Sequence, residues 1–144
     1  MFASEMWELY SQKKNISADY EAWAFGDDAD QLAKLVLDGV KTSTSSLRYW
    51  YDFENEPLPR AGEYSVILDS NGDAVCVIQT TKVYIAPFAQ INERHAWKEG
   101  EGDRSLSYWR TVHHRFFSEE LLSVGVTFHP DMEVVCEEFV RVYP

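Results

Sequence analysis

The feature that most restricts the fold is a tight-turn signal between two strand-like segments in the middle of the chain. The turn segment Asp69–Asp73 contains an Asn-Gly pair, which supplies the positive φ angles that a tight hairpin turn needs. Tyr64–Leu68 precedes the turn, and a longer predicted strand, Ala74–Tyr84, follows it and ends at Pro87. The centre of the chain is therefore predicted to form an antiparallel sheet.

Helical periodicity lies on both sides of this hairpin. The predicted helices are residues 3–13, Asp27–Asp38 with Asp27 or Asp28 as N-cap and Gly39 beyond its end, Ile91–Lys98, and a longer helix from the Ser105 cap to about Leu122. A last strand covers Met132–Tyr143. This order predicts an α+β fold, in which helices pack around a small curved sheet or barrel.

Length and apolar content indicate one globular domain over residues 1–144. No apolar run approaches the length of a membrane span, and residues 1–12 carry acidic residues where a signal peptide has a basic cluster. We therefore expect a cytoplasmic protein that does not engage a membrane. The sequence contains no indication of its oligomeric state.

The formal net charge of −11 disfavours a protein that coats nucleic acid, because a uniformly acidic surface repels phosphate backbones. The charge is uneven, however, and one segment carries an excess of basic residues: Arg94, Lys98, Arg104, Arg110 and Arg115. A solvated helix face and a local anion-tolerant site are both consistent with this segment.

A lysine followed by five hydroxyl residues, Lys41–Ser46, is unusual for a structural core. If the segment is extended, Thr42, Thr44 and Ser46 share one face of the strand. The lysine is a candidate general base for a hydroxyl if partial burial lowers its pKa, or a charged ligand for a carbonyl oxygen or phosphate. A polar edge strand with a solvated lysine is the alternative, and spacing alone favours it.

Three carboxylates alternate with glycines in the segment Glu99–Asp103. Asp103 precedes the Ser105 cap by two residues, which suits a helix-dipole role. Another carboxylate is a candidate acid or base if it folds over a pocket. The segment has too few ligands for an EF-hand, and the histidines lack metal-site spacing, so we predict no metal site and no cofactor.

Two motifs resemble those of the ASCH domain, a PUA-like β-barrel superfamily associated with RNA and modified nucleosides. Gly39–Thr44 resembles its Gly-x-Lys-x-x-Thr signature, and Trp97–Trp109, followed by His113, is similar to a block found in its longer bacterial members. The resemblance covers nearly the whole chain. It implies a PUA-like small β-barrel with helices packed around it.

Some ASCH proteins are amidohydrolases that remove the acyl group of N4-acetylcytidine with a lysine, a threonine and a glutamate. The resemblance places these roles on Lys41, Thr44 and Glu99, with Glu101 as the reserve for the glutamate. It implies that Thr44 attacks the acyl carbon, Lys41 accepts its proton, and Glu99 orients Lys41 or protonates the leaving amine.

The substrate class is less well defined than the catalytic set. The signature often has an arginine at the position of Ser46, and Arg48 is a candidate replacement. The candidate substrate-binding residues are Ser43, Ser46, Arg48, Tyr49, Trp50 and Arg104. We expect an enzyme acting on a small nucleoside; an RNA-binding module and a metal-dependent ribonuclease, each with RNA as partner, are the alternatives.

Overall fold

The computed structural model describes all residues, Met1–Pro144, and contains one mixed sheet surrounded by helices. The strands are β1 (Tyr20–Ala24), β2 (Ser43–Leu47), β3 (Tyr64–Leu68), β4 (Ala74–Pro87) and β5 (Glu133–Tyr143). The α-helices are α1 (Ala3–Lys14), α2 (Ala29–Leu37), α3 (Arg48–Phe53), α4 (Glu93–Glu99) and α5 (Leu106–Leu122), and a 3-10 turn covers Phe88–Gln90.

The sheet has the strand order β1-β3-β4-β5-β2. The pair β1 and β3 is parallel, whereas the other three pairs are antiparallel. The edge strands β1 and β2 are not paired with each other, so the curled sheet is a half-barrel. The predicted α+β class and PUA-like architecture are confirmed.

The predicted hairpin joins β3 to β4. Asp69 N–H donates to the Asp73 carbonyl at 2.9 Å, and Gly72 takes a positive φ of 82°. The Asp69 carboxylate also accepts hydrogen bonds from the amides of Asn71 and Asp73. Hydrogen bonds among the turn's own residues stabilise it, so the turn can be predicted from this short stretch of sequence.

The helix ends also follow local rules. The Asp28 side chain caps α2, and Gly39 follows this helix with a φ of 76°. Ser105 caps α5 by accepting the Tyr108 amide hydrogen bond. None of the helices combines the length and apolar character needed to cross a membrane.

Two elements are not predicted from the sequence. Strand β1 is a short edge strand that pairs only with β3. Helix α3 has six residues and an aromatic sequence that does not favour an isolated helix. It is held in place because Tyr49 and Trp50 pack against the buried cluster that includes Leu47 and Trp109, and this packing depends on the tertiary structure.

Helices α4 and α5 pack against the β2 edge of the sheet. The largest buried cluster includes Leu47 of β2, Val134 of β5, and Trp109 and Phe117 of α5. Helical periodicity predicts that Trp109, together with Phe116 or Phe117, lies on the apolar face of α5. In the structure Trp109 and Phe117 are the buried residues of this set. This packing brings the start of β2 against the end of α4, where several polar side chains are enclosed.

Candidate active site

Lys41 is the centre of a buried polar cluster. Its ammonium group lies 3.0 Å from Glu99 Oε1 and 3.0 Å from Glu101 Oε2. The residue is only 2% exposed. The alternative of a solvated lysine on a polar edge strand is therefore wrong.

Backbone contacts between the start of β2 and the end of α4 produce this arrangement. Thr42 N–H donates to the Lys98 carbonyl at 2.7 Å. Gly100 ends α4 with a φ of 73°, and a Cβ atom at this position would lie 2.5 Å from the Val40 carbonyl oxygen. Glycine at position 100 therefore allows the close approach that places Glu99 and Glu101 on either side of Lys41.

Glu99 is fully enclosed. One carboxylate oxygen accepts from Lys41. The other is surrounded by four polar side-chain atoms: Ser45 Oγ, Trp109 Nε1, His95 Nε2 at 3.1 Å and His113 Nε2 at 3.4 Å. This environment holds the carboxylate in one orientation.

The charges in the cluster stabilise one another. Burial on its own would raise the pKa of Glu99, but Lys41 and His113 overcome this effect and hold the pKa well below its usual range. Burial likewise opposes the charged form of Lys41, yet the two carboxylates raise the pKa of Lys41 above its usual value. The net shift is upward, so the lowered pKa that Lys41 would need to act as a general base is not found.

Glu101 has a different environment from Glu99. Its side chain is 14% exposed, and its carboxylate accepts a hydrogen bond only from Lys41. Burial raises the pKa of Glu101, Lys41 opposes this shift, and the Glu99 charge adds to it, with a net rise. Glu101 is thus the carboxylate of the pair better able to exchange a proton.

Thr44 connects this cluster to a larger space. It lines a small cavity of about 50 Å³ together with Lys41, Glu99, Glu101 and His113. It also lines the adjoining cavity of about 540 Å³. The Thr44 hydroxyl makes no hydrogen bond within the protein, so it is free to contact a ligand.

The larger cavity has aromatic walls and an acidic lining. Trp23, Phe25, Trp50 and Phe116 contribute rings. All charged residues that line it are glutamates: Glu21, Glu56, Glu63, Glu120 and Glu137. Such a cavity disfavours phosphate groups and favours a neutral or amine-bearing ligand.

Two of the predicted substrate-binding residues line this cavity. Ser46 does so with its hydroxyl 2.9 Å from Tyr51 Oη, and Trp50 forms part of the wall. The Trp50 indole N–H is buried and has no hydrogen-bond partner. Burial raises the pKa of the neighbouring Glu120 carboxyl, and the Trp50 side chain partly opposes this rise. Ser43 is buried behind the cluster and donates to the Glu137 carbonyl at 2.8 Å.

The other three candidates lie outside both cavities. Arg48 pairs with Glu133 at 3.2 Å on the surface. The Tyr49 ring stacks on Phe53. The Arg104 guanidinium lies 3.7 Å from the centre of the Trp97 ring. A substrate contact by any of these three requires a ligand that extends beyond the cavities.

Several residues of the site are not among the candidates that the sequence indicates. His95 precedes Glu99 by four residues on α4, and Trp109 precedes His113 by four residues on α5. This spacing places each pair on one helix face, so it is a signal that the sequence does contain. Glu137 carries no such signal, because its position opposite Thr44 depends on how β2 pairs with β5.

The cluster also contains a set of possible metal ligands. Atoms of Glu99, Glu101 and His113 all lie within 4.8 Å of one another. Two carboxylates and an imidazole form a suitable donor set for a divalent cation. The Lys41 ammonium, however, is bonded to both carboxylates, so a metal ion fits only if the lysine moves away.

Replacing Glu137 with glutamine is expected to stabilise the protein at alkaline pH. Burial, together with Glu63 and Glu21, raises the pKa of Glu137 from 4.5 to about 7. The folded state therefore holds this proton more tightly than the unfolded state, and stability is lost as pH rises from 4.5 through about 7. We expect Glu137→Gln to gain about 2 kcal/mol more at pH 8 than at pH 5, measured by urea unfolding.

Glu133→Gln is the matched control for this measurement. Glu133 lies at the start of the same strand, but its side chain is 48% exposed. Its effect is expected to differ little between the two pH values. An equal gain for Glu137→Gln at pH 5 and pH 8 would contradict the raised pKa.

The half-barrel with a lysine–carboxylate cluster at its β2 edge defines a PUA-like α+β domain. The chain belongs to the ASCH domain family, whose model matches residues 21–143. This confirms the resemblance that the two sequence motifs indicate.

Crystal structures of similar proteins agree with this assignment. An ASCH domain from Lactobacillus crispatus JV V101 is 34% identical, with a TM-score of 0.87 over 97% of this chain and 96% of that chain. Protein EF3133 from Enterococcus faecalis V583 is 37% identical, with a TM-score of 0.90 over 97% and 87%. The hypothetical protein PH0355, at 14% identity and a TM-score of 0.58 over 86% and 100%, shares only the fold. A search of curated proteins found no significant relative.

Proposed function

We propose that this ASCH domain is an amidohydrolase that removes the acyl group from an N4-acylated pyrimidine nucleoside such as N4-acetylcytidine. The observation that carries the proposal is the position of Thr44, a free hydroxyl between the Lys41 cluster and the larger cavity. The volume of that cavity, about 540 Å³, is within the range of sites that hold small ligands.

The geometry supports a division of roles in this reaction. Thr44 Oγ1 attacks the acyl carbon, and its proton passes to the Glu101 carboxylate. The Lys41 ammonium stabilises the oxyanion that forms on the acyl oxygen. Glu101 then gives the proton to the leaving N4 atom, and the bond between this nitrogen and the acyl carbon breaks.

Water completes the cycle by hydrolysing the ester on Thr44. Glu101 takes a proton from the attacking water and returns it to the departing Thr44 oxygen, and the carboxylic acid that is released loses its remaining proton to solvent. Glu99 holds Lys41 in place throughout, because its own oxygens are occupied by Lys41, Ser45 and Trp109. Glu101, the reserve choice from the sequence, thus becomes the proton carrier in this proposal.

A metal-dependent ribonuclease is the second candidate, because Glu99, Glu101 and His113 form a possible ligand set. Two observations favour the amidohydrolase over it. Lys41 occupies the space between the two carboxylates, and the adjoining large cavity has an acidic lining that repels a polyanion.

Hydrolysis of N4-acetylcytidine by the purified protein is the direct test. Loss of the acyl group changes the ultraviolet spectrum, and we expect wild-type turnover to persist in EDTA. Thr44→Val, which removes the nucleophile while keeping its shape, is expected to lower turnover by at least about a thousandfold. Thr81→Val, an exposed threonine on β4, is the matched control and is expected to behave like wild type.

Three outcomes would contradict the proposal. Failure of the wild-type protein to hydrolyse any acylated cytidine would remove the function. Retained turnover in Thr44→Val would show that a water molecule attacks directly. Cleavage of a labelled RNA that stops in EDTA and returns with Mn²⁺ or Mg²⁺ would favour the ribonuclease.

A further inference from the structure

Glu137 lies beside Thr44 on the floor of the larger cavity. The two residues face each other on the antiparallel strands β2 and β5. Directly opposite residues project from the same face of a sheet, with Cβ atoms about 5 Å apart. A ligand whose acyl group reaches Thr44 therefore places its neighbouring atoms next to the Glu137 side chain.

The Glu137 carboxyl has spare hydrogen-bonding capacity. Its Oε2 atom lies 3.4 Å from the Thr80 hydroxyl, and Oε1 has no partner within the protein. No lysine or arginine lines this cavity, so the carboxyl has no counter-charge there. The proposed deacylation makes no use of this group.

The groups that face Glu137 come from four elements or loops. They are Glu21 of β1, Glu63 before β3, Tyr51 of α3 and Thr80 of β4. Burial and the two glutamates raise the pKa of Glu137 to about 7. At neutral pH a large fraction of molecules therefore carries a protonated Glu137, which has both an O–H donor and a C=O acceptor.

We propose that Glu137 is a substrate-recognition residue that binds the N3 and N4 edge of the pyrimidine base. Its O–H group donates to the N3 acceptor, and its carbonyl oxygen accepts the hydrogen on N4. These atoms are adjacent to the acylated nitrogen, which matches the position of Glu137 next to the nucleophile Thr44. The assignment rests on the proposed function, because it takes the ligand to be an aminopyrimidine nucleoside.

The test is equilibrium binding of cytidine, the product of the proposed reaction, measured by calorimetry at pH 6 and pH 8.5. We expect wild-type affinity to fall about tenfold or more between these values, because deprotonated Glu137 loses its donor and repels the N3 lone pair. Glu137→Gln keeps a donor and an acceptor at both pH values, so its affinity is expected not to change with pH. Glu137→Leu is expected to bind cytidine about tenfold or more weakly than wild type at pH 6.

Glu133→Gln, on the same strand but outside the cavity, is expected to follow the wild type at both pH values. Because Glu101 is present in every variant, the pH-independent affinity expected for Glu137→Gln is what separates titration of Glu137 from titration of Glu101. Unfolding curves of each variant show that loss of binding does not come from loss of the fold.

Binding and turnover test the two proposals separately. Any of three binding results would overturn the role of Glu137, even if N4-acetylcytidine is hydrolysed. They are a wild-type affinity that is independent of pH, no cytidine binding at millimolar concentration, and full affinity in Glu137→Leu. The expected binding pattern in a protein that hydrolyses no acylated cytidine would support the recognition site and overturn only the proposed function.

Discussion

Replacing Lys41 with methionine is expected to abolish deacylation and to lower the free energy of unfolding by about 3–5 kcal/mol. Methionine keeps much of the side-chain length but removes the charge that neutralises Glu99 and Glu101. Two carboxylates are then left close together, one of them fully buried, without a positive partner. Urea unfolding and the N4-acetylcytidine assay measure the two effects.

Lys34→Met is the control for this substitution. Lys34 also forms an ion pair at 3.0 Å, with Asp38, but its side chain is 68% exposed. Such pairs contribute little, so we expect a change within about 0.5 kcal/mol and unchanged turnover. If Lys41→Met proved as stable as wild type, the buried ion-pair cluster would not exist as described.

Replacing each glutamate with glutamine is expected to separate two catalytic contributions. Glu101→Gln should lower turnover by about a hundredfold or more, the usual effect of losing an acid–base group, with little change in stability. Its carboxylate accepts one side-chain hydrogen bond and is partly exposed. Glu99→Gln should lower turnover by a similar factor and also destabilise the protein, because Glu99 is the buried partner of Lys41.

The pH profile distinguishes the two roles further. Glu101 accepts a proton only when ionised, so wild-type turnover is expected to rise as the pH passes through its raised pKa. This rise should be absent in Glu101→Gln and present in Glu99→Gln, where residual activity allows its measurement. The reverse pattern, with full activity in Glu101→Gln, would assign the proton transfer to Glu99.

Local signals account for the parts of the fold that the sequence predicts. The Asn71-Gly72 turn, the Asp28 and Ser105 caps and Gly39 each stabilise their element through residues close in sequence. Strand β1 and helix α3 lack such signals: β1 is held by pairing with β3, and α3 is held by packing of Tyr49 and Trp50 against the buried core.

The candidate site is only partly predictable for the same reason. The family motifs select Lys41, Thr44 and Glu99, and these residues do line one cavity. The carboxylates that accept from the buried Lys41 ammonium are 58 and 60 residues away in the sequence. The hydroxyl residues next to Lys41 therefore give no sign that the pKa of Lys41 is raised. The distance from Lys41 to either carboxylate is 3.0 Å, and only their environments distinguish Glu99 from Glu101.

The backbone hydrogen bond from Thr42 to Lys98 joins segments that are far apart in the chain. Closing so long a loop costs chain entropy, so contacts of this kind tend to slow folding. The cluster is complete only once α4 has docked on β2, and a local opening that detaches α4 dismantles it in one step. The Thr42 amide exchanges its hydrogen with solvent only during such openings. Its exchange rate therefore reports the fraction of folded molecules in which the Lys41 cluster is broken.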